Sequence, residues 1–271
     1  MTDYTVLEVE VAEHIAHVRL NRPEKANALS APFWTEIPRA FRWIAGNPDV
    51  RVAVISGNGK HFCAGIDLEM LAAGAGRALA DDPGRAREAL RLRILELQDT
   101  FTAIERCRKP VLAAVHGSCL GAGVDLVSAC DMRYCTADAA FAIREIDIGL
   151  TADVGTLQRL PRLIGDGILR ELAYTGRPVL GPEAAQIGLV NRAFPDREAL
   201  LQGVMQIARA IAAKAPLAVR GSKEMILYTR DHTVADSLNY IATWNAAMLS
   251  EADIREGVAA QREKRPPSFQ G

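Results

Sequence analysis

No stretch of the sequence approaches the ~20 consecutive apolar residues that cross a bilayer, so a membrane-spanning protein is not expected. Net charge is nearly absent too, since 32 lysines and arginines against 33 aspartates and glutamates leave -1. With no global field to draw nucleic acid or an anionic membrane surface, any anionic ligand must be held locally. The five histidines (His14, His17, His61, His116, His232) form no HExxH and no His/Cys grouping at metal-ligand spacing, so no metal site is expected. There is no GxxxxGK[ST], and no GxGxxG followed by an acid about 20 residues later, which argues against P-loop and dinucleotide sites. Cysteines are few: Cys63, Cys107, Cys119, Cys130 and Cys135 are odd in number and scattered through apolar runs. They read as reduced core residues of a cytosolic protein. The opening "MTDYTVLEVEVAEH" lacks the apolar h-region of a signal peptide and the arginine-rich pattern of a transit peptide, and "SFQG" is not a peroxisomal tripeptide. The expected location is therefore the cytoplasm.

What the chain does have is core. Hydrophobic residues make up 49% of its 271 positions, enough for one large domain or two small ones. Residues 4–20 alternate apolar and polar around an Ala-Glu-His break, predicting a β-hairpin. Ser30 is placed to cap a helix running through Phe33, Ile37, Phe41 and Ile44, with Pro38 in its middle. "RVAVISG" (51–57) and "PVLAAVHG" (110–117) are short apolar runs ending in glycine, the pattern of strands buried on both faces. Between them, a Gly/Ala/Asp-rich stretch from residue 72 is expected to be mobile. It precedes a helix with its period through Leu90, Leu92, Leu95, Leu97, Phe101 and Ile104. A short helix over Ala122–Cys130 and strands at "MRYC" and "AAFAI" follow, and from about residue 197 four helices are expected. The order predicts an α/β chain with a repeating β-β-α core over residues 1–195 and a helical region over 196–271. Tyr240, Trp244 and Met248, at i, i+4 and i+8, read as packing residues in the subunit or in an oligomer interface.

Two segments have the form strand, glycine, short loop, helix start: "VISGNGKHFCAGIDLEM" and "AAVHGSCLGAGVDLVSAC". Gly65 in the first and the Gly121-Ala122-Gly123 run in the second can release backbone N–H groups from a turn. Two such groups converging on one point make an oxyanion hole. The simpler reading is that the glycines only allow tight strand-to-helix turns.

"RPEKANALS", "HFCAGIDL", "KPVLAAVHGSCLGAGVDLVSACDMRYC" and "ADVGTLQRLPRLIG" together resemble the crotonase (enoyl-CoA hydratase/isomerase) superfamily, in order and along nearly the whole chain. The resemblance implies a crotonase-type spiral of β-β-α units with a C-terminal helical region for trimerisation, as a trimer or a dimer of trimers. It implies a coenzyme A thioester as substrate and no separate cofactor. The thioester oxygen would be held by the N–H groups of Ile66 and Ala122, although Ala122 stands where glycine is usual. It assigns substrate binding to Ala64, Gly65, Ile66, Asp67 and Leu68 together with Ala122. Lys25 would contact phosphate or pantetheine, or would be an ordinary surface lysine. His116 reads as packed rather than as a base.

The acids select the reaction. Hydratases of this family typically place two glutamates where this chain has Asp125 and Glu145, and usually glycine where it has Asp153. Asp125, Glu145 and Asp153, separated by 20 and then 8 residues, resemble the Δ3,5-Δ2,4-dienoyl-CoA isomerases. That likeness implies isomerisation in the β-oxidation of unsaturated fatty acids, with one proton removed at C2 and one delivered at C6, two distant sites that suit two carboxylates. Asp153 is assigned C2 and Glu145 C6; the reverse fits the same spacing. Asp125 would raise the proton affinity of Glu145 by repulsion and desolvation. Structural alternatives exist for each: a buried hydrogen bond for Asp125, an ion pair with Arg144 or Arg159 for Glu145, and a cap on a helix starting at Val154 for Asp153. Asp147 alternates with Glu145 along a strand-like run and is read as structural. The competing functions are an enoyl-CoA hydratase and an RNA-binding member of the superfamily, the latter disfavoured because no lysine-rich helix is present.

Overall fold

The computed structural model of the chain describes residues 3–75 and 82–270. Strands β1 (Leu7–Ala12) and β2 (Ile15–Leu20) form the expected hairpin. Glu13 and His14 are both left-handed, at φ 50° and 64°, matching the turn that right-twisted strands favour. Helix α1 (Phe33–Gly46) buries Phe33, Ile37, Phe41 and Ile44. Ser30 does not cap it, because Pro32 occupies the N-cap position. Pro38 cannot donate to the Trp34 carbonyl one turn back, and the Thr100 hydroxyl donates to that carbonyl instead, at 3.3 Å.

Strand β3 (Val52–Gly57) is buried throughout. Helices α2 (Leu68–Ala75) and α3 (Pro83–Glu105) follow, and most of the stretch expected to be mobile lies outside the described residues. The period of α3 is as expected, yet Leu90, Leu92 and Leu95 are exposed, and only Thr100, Phe101 and Ile104 are buried. The chain continues through β4 (Val111–Val115), β5 (Ser118–Leu120), α4 (Ala122–Ser128), β6 (Met132–Thr136) and β7 (Ala140–Ala142). A single turn of helix, α5 (Thr156–Arg159), is followed by α6 (Asp166–Thr175), β8 (Val179–Leu180), α7 (Gly181–Gln186) and β9 (Arg192–Phe194).

The strands divide into a sheet ordered β1-β2-β3-β4-β6-β9, parallel except at the hairpin, and a smaller sheet ordered β5-β7-β8. The chain visits the two alternately: β4 then β5, β6 then β7, β8 then β9. This repetition is the β-β-α spiral, and it carries each turn after β3, β4 and β6 toward the small sheet.

Both faces of β3 and β4 are covered, which is why these strands read as unbroken apolar runs. One face packs with α1 in the main core. The other is sealed by α8 (Arg197–Ala212), whose Leu200, Val204, Ala208 and Ala212 pack on Ile15, Val52, Val54, Leu112 and Ala114. Three further helices complete the chain: α9 (Pro216–Tyr228), α10 (Val234–Met248) and α11 (Glu251–Glu263). Tyr240 and Trp244 turn inward, edge to face at 6.4 Å, and a Cβ on Gly221 of α9 would come within 2.5 Å of the Trp244 ring. Met248 stays exposed.

A partly buried ion pair fastens α9 to the sheet. Lys223 Nζ donates to Asp131 Oδ2 at 2.7 Å and to the Lys109 carbonyl at 3.1 Å, while Asp131 Oδ2 also accepts the Val111 N–H at 2.7 Å. Lys223→Met is expected to cost about 3 kcal/mol, because it leaves a carboxylate without its counter-charge. The measurement is the urea midpoint at unchanged slope, and adding Asp131→Asn should recover part of the loss.

Candidate active site

The two glycine turns meet. Cys63, after β3, bridges in parallel to Cys119 of β5: its N–H donates to the Ser118 carbonyl at 2.9 Å, and its carbonyl accepts the Leu120 N–H at 3.0 Å. A little further along, the same turn pairs on its other side. Leu29 N–H donates to the Gly65 carbonyl at 2.8 Å, and Asp67 N–H donates to the Leu29 carbonyl at 3.1 Å. In a parallel bridge the residue between those two contacts points its own N–H away from the partner, so Ile66 N–H faces the side of β5 and α4. Gly65, at φ 92°, lies so close to the second turn that a Cβ there would be 2.9 Å from the Leu120 oxygen and 3.7 Å from Ala122 N. Ala122 begins α4, where the N–H has no intrahelical acceptor. Neither Ile66 N–H nor Ala122 N–H donates to any group among the described residues. Two neighbouring unspent donors in a buried turn are what a developing oxyanion needs.

The three acids gather behind these donors. Asp125 lies in the first turns of α4 with no exposed surface, and its Oδ1 accepts the Thr156 N–H at 2.5 Å. It therefore caps α5 from 31 residues away, a role that the sequence pattern suggests for Asp153. Burial pushes the Asp125 carboxyl up to about 7, against the Thr156 hydroxyl and N–H and with help from the Glu145 charge. Glu145 does not sit on a strand. Residues Glu145–Ile148 form a 3-10 turn closed by Gly149 at φ 75°, so the alternation that placed Asp147 beside Glu145 does not apply. The Glu145 carboxylate rests against Gly121, where a Cβ would be 3.2 Å from Oε1, and Oε2 is buried with no partner among the described residues.

Neither of the arginines considered for Glu145 reaches it: Arg144 pairs with Asp147 at 2.7 Å and Arg159 with Glu105 at 3.1 Å. Burial raises the proton affinity of Glu145, with added repulsion from Asp153, and Asp125 in turn is raised by burial and by the Glu145 charge. Asp153 is exposed on the loop before α5, with its carbonyl held by Gln98 Nε2 at 2.7 Å, and partial burial of its carboxyl raises its proton affinity as well. It also lines a 480 Å³ cavity bounded by α3, α5 and the end of α9.

The family model described as enoyl-CoA hydratase/isomerase matches residues 10–271. The chain belongs to the enoyl-CoA hydratase/isomerase family. Among curated relatives, the human mitochondrial Δ(3,5)-Δ(2,4)-dienoyl-CoA isomerase is 49% identical over 264 residues, 97% of this chain and 80% of its own. The peroxisomal enzyme of the same name from Arabidopsis thaliana is 47% identical over 273 residues, 99% of this chain and 98% of its own. Among solved structures, an enoyl-CoA hydratase from Bacillus anthracis superposes with a TM-score of 0.88 at 32% identity, covering 98% of this chain and all of the other. The crotonase fold expected from the sequence motifs is thus the fold of the chain.

In this family member the remaining expected binding residues line one rim. The Arg22–Leu29 segment is tied to the Ala64–Leu68 turn by Ala64 N–H on the Ala26 carbonyl at 3.0 Å and by Arg22 on Asp67 at 3.1 Å. That ion pair occupies Asp67, whose other oxygen accepts the Glu69 N–H at the start of α2. Lys25 is exposed on the same rim, 3.9 Å from Glu69, and Leu68 is exposed beside it. His116 is buried with Nε2 at 3.0 Å from the Gly59 carbonyl, packed as expected, and all five cysteines are buried and free. Sequence reasoning missed Thr156; no local signal marks it, because its partner Asp125 is remote in sequence.

The raised Asp125 carboxyl has a consequence for stability. A carboxyl whose folded proton affinity exceeds the unfolded one favours the native state below the ordinary carboxylate range, and that stability is lost as pH rises toward about 7. Asp125→Asn keeps the acceptor for Thr156 N–H and removes the titration. Its stability relative to wild type is expected to improve between pH 4 and 8, by roughly 1.4 kcal/mol for every tenfold by which folding strengthens proton binding at Asp125. The measurement is the urea midpoint of both proteins at each pH.

Proposed function

We propose that the protein is a Δ3,5-Δ2,4-dienoyl-CoA isomerase. Of all the observations, Asp153 carries this reading: it places a second carboxylate, close enough for its charge to act on Glu145, at a position where a one-water hydratase needs none. The identity of 47–49% to curated isomerases of that name supports it.

The thioester carbonyl is polarised by Ile66 and Ala122 N–H, so the electrons released at C2 delocalise onto an oxygen already held. Asp153, the more solvent-open acid, takes the C2 proton as a carboxylate. Glu145, pressed against Gly121 beside the oxyanion donors with one oxygen buried, carries the proton that goes to C6. The coenzyme A moiety lies along Lys25 and the Ala64–Leu68 rim, and no other cofactor takes part.

The rest of the assignment belongs to the same proposal. Exposed Leu90, Leu92 and Leu95 on α3 support a homo-oligomer, a trimer or a dimer of trimers. The 1–195 spiral and the 196–271 helical region are its two parts, with α8 serving the sheet of the first. Five buried thiols support a reducing compartment, and we assign the cytoplasm; the human and Arabidopsis relatives carry mitochondrial and peroxisomal names. No helix among the described residues is long and apolar enough to cross a membrane.

The test is conversion of a 3,5-dienoyl-CoA, followed as absorbance of the conjugated 2,4-product. Asp153→Asn and Glu145→Gln are each expected to lower kcat by about 10²- to 10⁴-fold. In deuterated solvent, Asp153→Asn should lose exchange at C2, whereas Glu145→Gln should keep it and lose delivery at C6. Efficient hydration of a 2-enoyl-CoA with no dienoyl isomerisation would replace this reading with the hydratase one.

A further inference from the structure

The Arg22–Leu29 segment grips the turn that carries Ile66, and one side chain holds that grip in place. Ala64 N–H donates to the Ala26 carbonyl at 3.0 Å, Leu29 N–H to the Gly65 carbonyl at 2.8 Å, and Asp67 N–H to the Leu29 carbonyl at 3.1 Å. To present these groups the chain takes two successive left-handed residues that are not glycine, Ala26 at φ 49° and Asn27 at φ 56°. Such backbone is costly for L-residues and persists only where surrounding contacts enforce it. Asn27 supplies those contacts. It is 3% exposed, its Oδ1 accepts the Arg22 N–H at 2.8 Å, and its Nδ2 donates to the Asn58 carbonyl at 2.9 Å and to the His61 carbonyl at 2.8 Å. Gly57, at the end of β3, leaves the room, since a Cβ there would stand 3.0 Å from Asn27 Nδ2.

The acceptors are themselves fixed. The Gly59 carbonyl lies 3.0 Å from His116 Nε2 and accepts from Arg197 Nη1 at 3.0 Å, and His61 Nδ1 accepts the Ser118 N–H at 3.2 Å. Contacts thus run without a break from the braced loop after β3, through Asn27, to Leu29, the residue bridged to Ile66. Resting on the thioester reading above, we propose that Asn27 is a positioning residue: its side chain locks the 22–29 segment so that Ile66 N–H stays aimed at the thioester oxygen. Arg22 is the second tie, through Asp67 at 3.1 Å, but it acts beyond Ile66, and its own N–H is held by Asn27. Releasing the clamp leaves both oxyanion donors present and one of them poorly aimed, which weakens stabilisation of the charge that develops on the oxygen.

Asn27→Gly isolates the side chain, because glycine takes left-handed backbone without strain. Asn27→Asp keeps the shape and the acceptor for Arg22 N–H, loses both donors, and carries the same tests if the glycine variant does not fold. Lys223→Met, destabilised through α9, controls for stability alone. The first arm is amide hydrogen exchange without ligand. In the Asn27 variants, exchange at Leu29, Ala64 and Asp67 should quicken by about tenfold more than in β3 and β4, the worth of one hydrogen bond. In the second arm a 2,4-dienoyl-CoA with ¹³C at the thioester carbon is bound at saturation and its carbonyl stretch is read by infrared. Hydrogen bonding lowers that frequency in wild type. Both Asn27 variants should move it back toward the free ligand and lose about ten- to a hundredfold in kcat, short of the roughly 10²- to 10³-fold lost when a donor is removed outright. Lys223→Met should keep the wild-type frequency. A folded Asn27 variant with the wild-type frequency, or with exchange at the three amides quickened no more than in the strands, overturns the proposal. A wild-type frequency equal to that of the free thioester would instead remove the functional reading, and the exchange arm would still decide whether Asn27 holds the turn.

Discussion

The approach of Gly65 to the Leu120–Ala122 backbone is the constraint on which the site depends. Two turns from successive units of the spiral come into backbone contact there, and a single methyl on Gly65 would meet the Leu120 carbonyl at 2.9 Å. Contact alone would be a packing detail. It becomes a site because the flanking parallel bridges consume the N–H groups on both sides, at Cys63, Leu120, Leu29 and Asp67, and leave those of Ile66 and Ala122 unspent between them. The hole is thus what remains when the donors flanking it on both turns are satisfied. Its rigidity comes from the sheets, since β3 and β4, paired in the core, deliver both turns.

Behind the donors the molecule keeps three carboxyls that ordinary folding would exclude or neutralise. Cations are near: Arg159 lies close enough to act on Asp125, and Arg230 close enough to join it on Glu105. They are engaged elsewhere. Glu105 takes both guanidinium groups, and Arg159 also braces the loop through the Val154 carbonyl, so neither arginine forms an ion pair with the three acids. All three acids therefore hold their protons above the ordinary carboxylate range, which lowers stability near neutral pH and gives proton transfer groups poised to exchange.

Much of this was legible in the sequence, for identifiable reasons. "RVAVISG" and "PVLAAVHG" announced buried strands because α1 and α8 leave neither face in water, and the hairpin announced itself by alternation because one of its faces does meet solvent. The two glycine turns were legible because glycine is required where backbones touch. Failures have one cause in common, which is that they turn on partners distant in sequence. "REIDIG" alternates like a strand, yet folds as a 3-10 turn with its glutamate laid on Gly121. Asp153 precedes a helix as a cap would, but the cap arrives from Asp125. Leu90, Leu92 and Leu95 have a core-facing period with no core against them in the protomer.

The departure of Ala122 from the usual glycine follows from the same geometry. Of the run Gly121-Ala122-Gly123, the first residue needs φ 49° and bears the Glu145 carboxylate at the place of its missing Cβ, while the third would drive a Cβ to 3.0 Å from that of Cys63. Only the middle position points neither at the acid nor into the strand below, and it already has helical backbone. A methyl is tolerated there and nowhere else in the run. On the proposed reading the donor at Ala122 is its backbone N–H, so the substitution leaves that donor in place and acts on shape alone. On that reading, a variation confined to this slot changes the shape beside the thioester without removing the backbone donor.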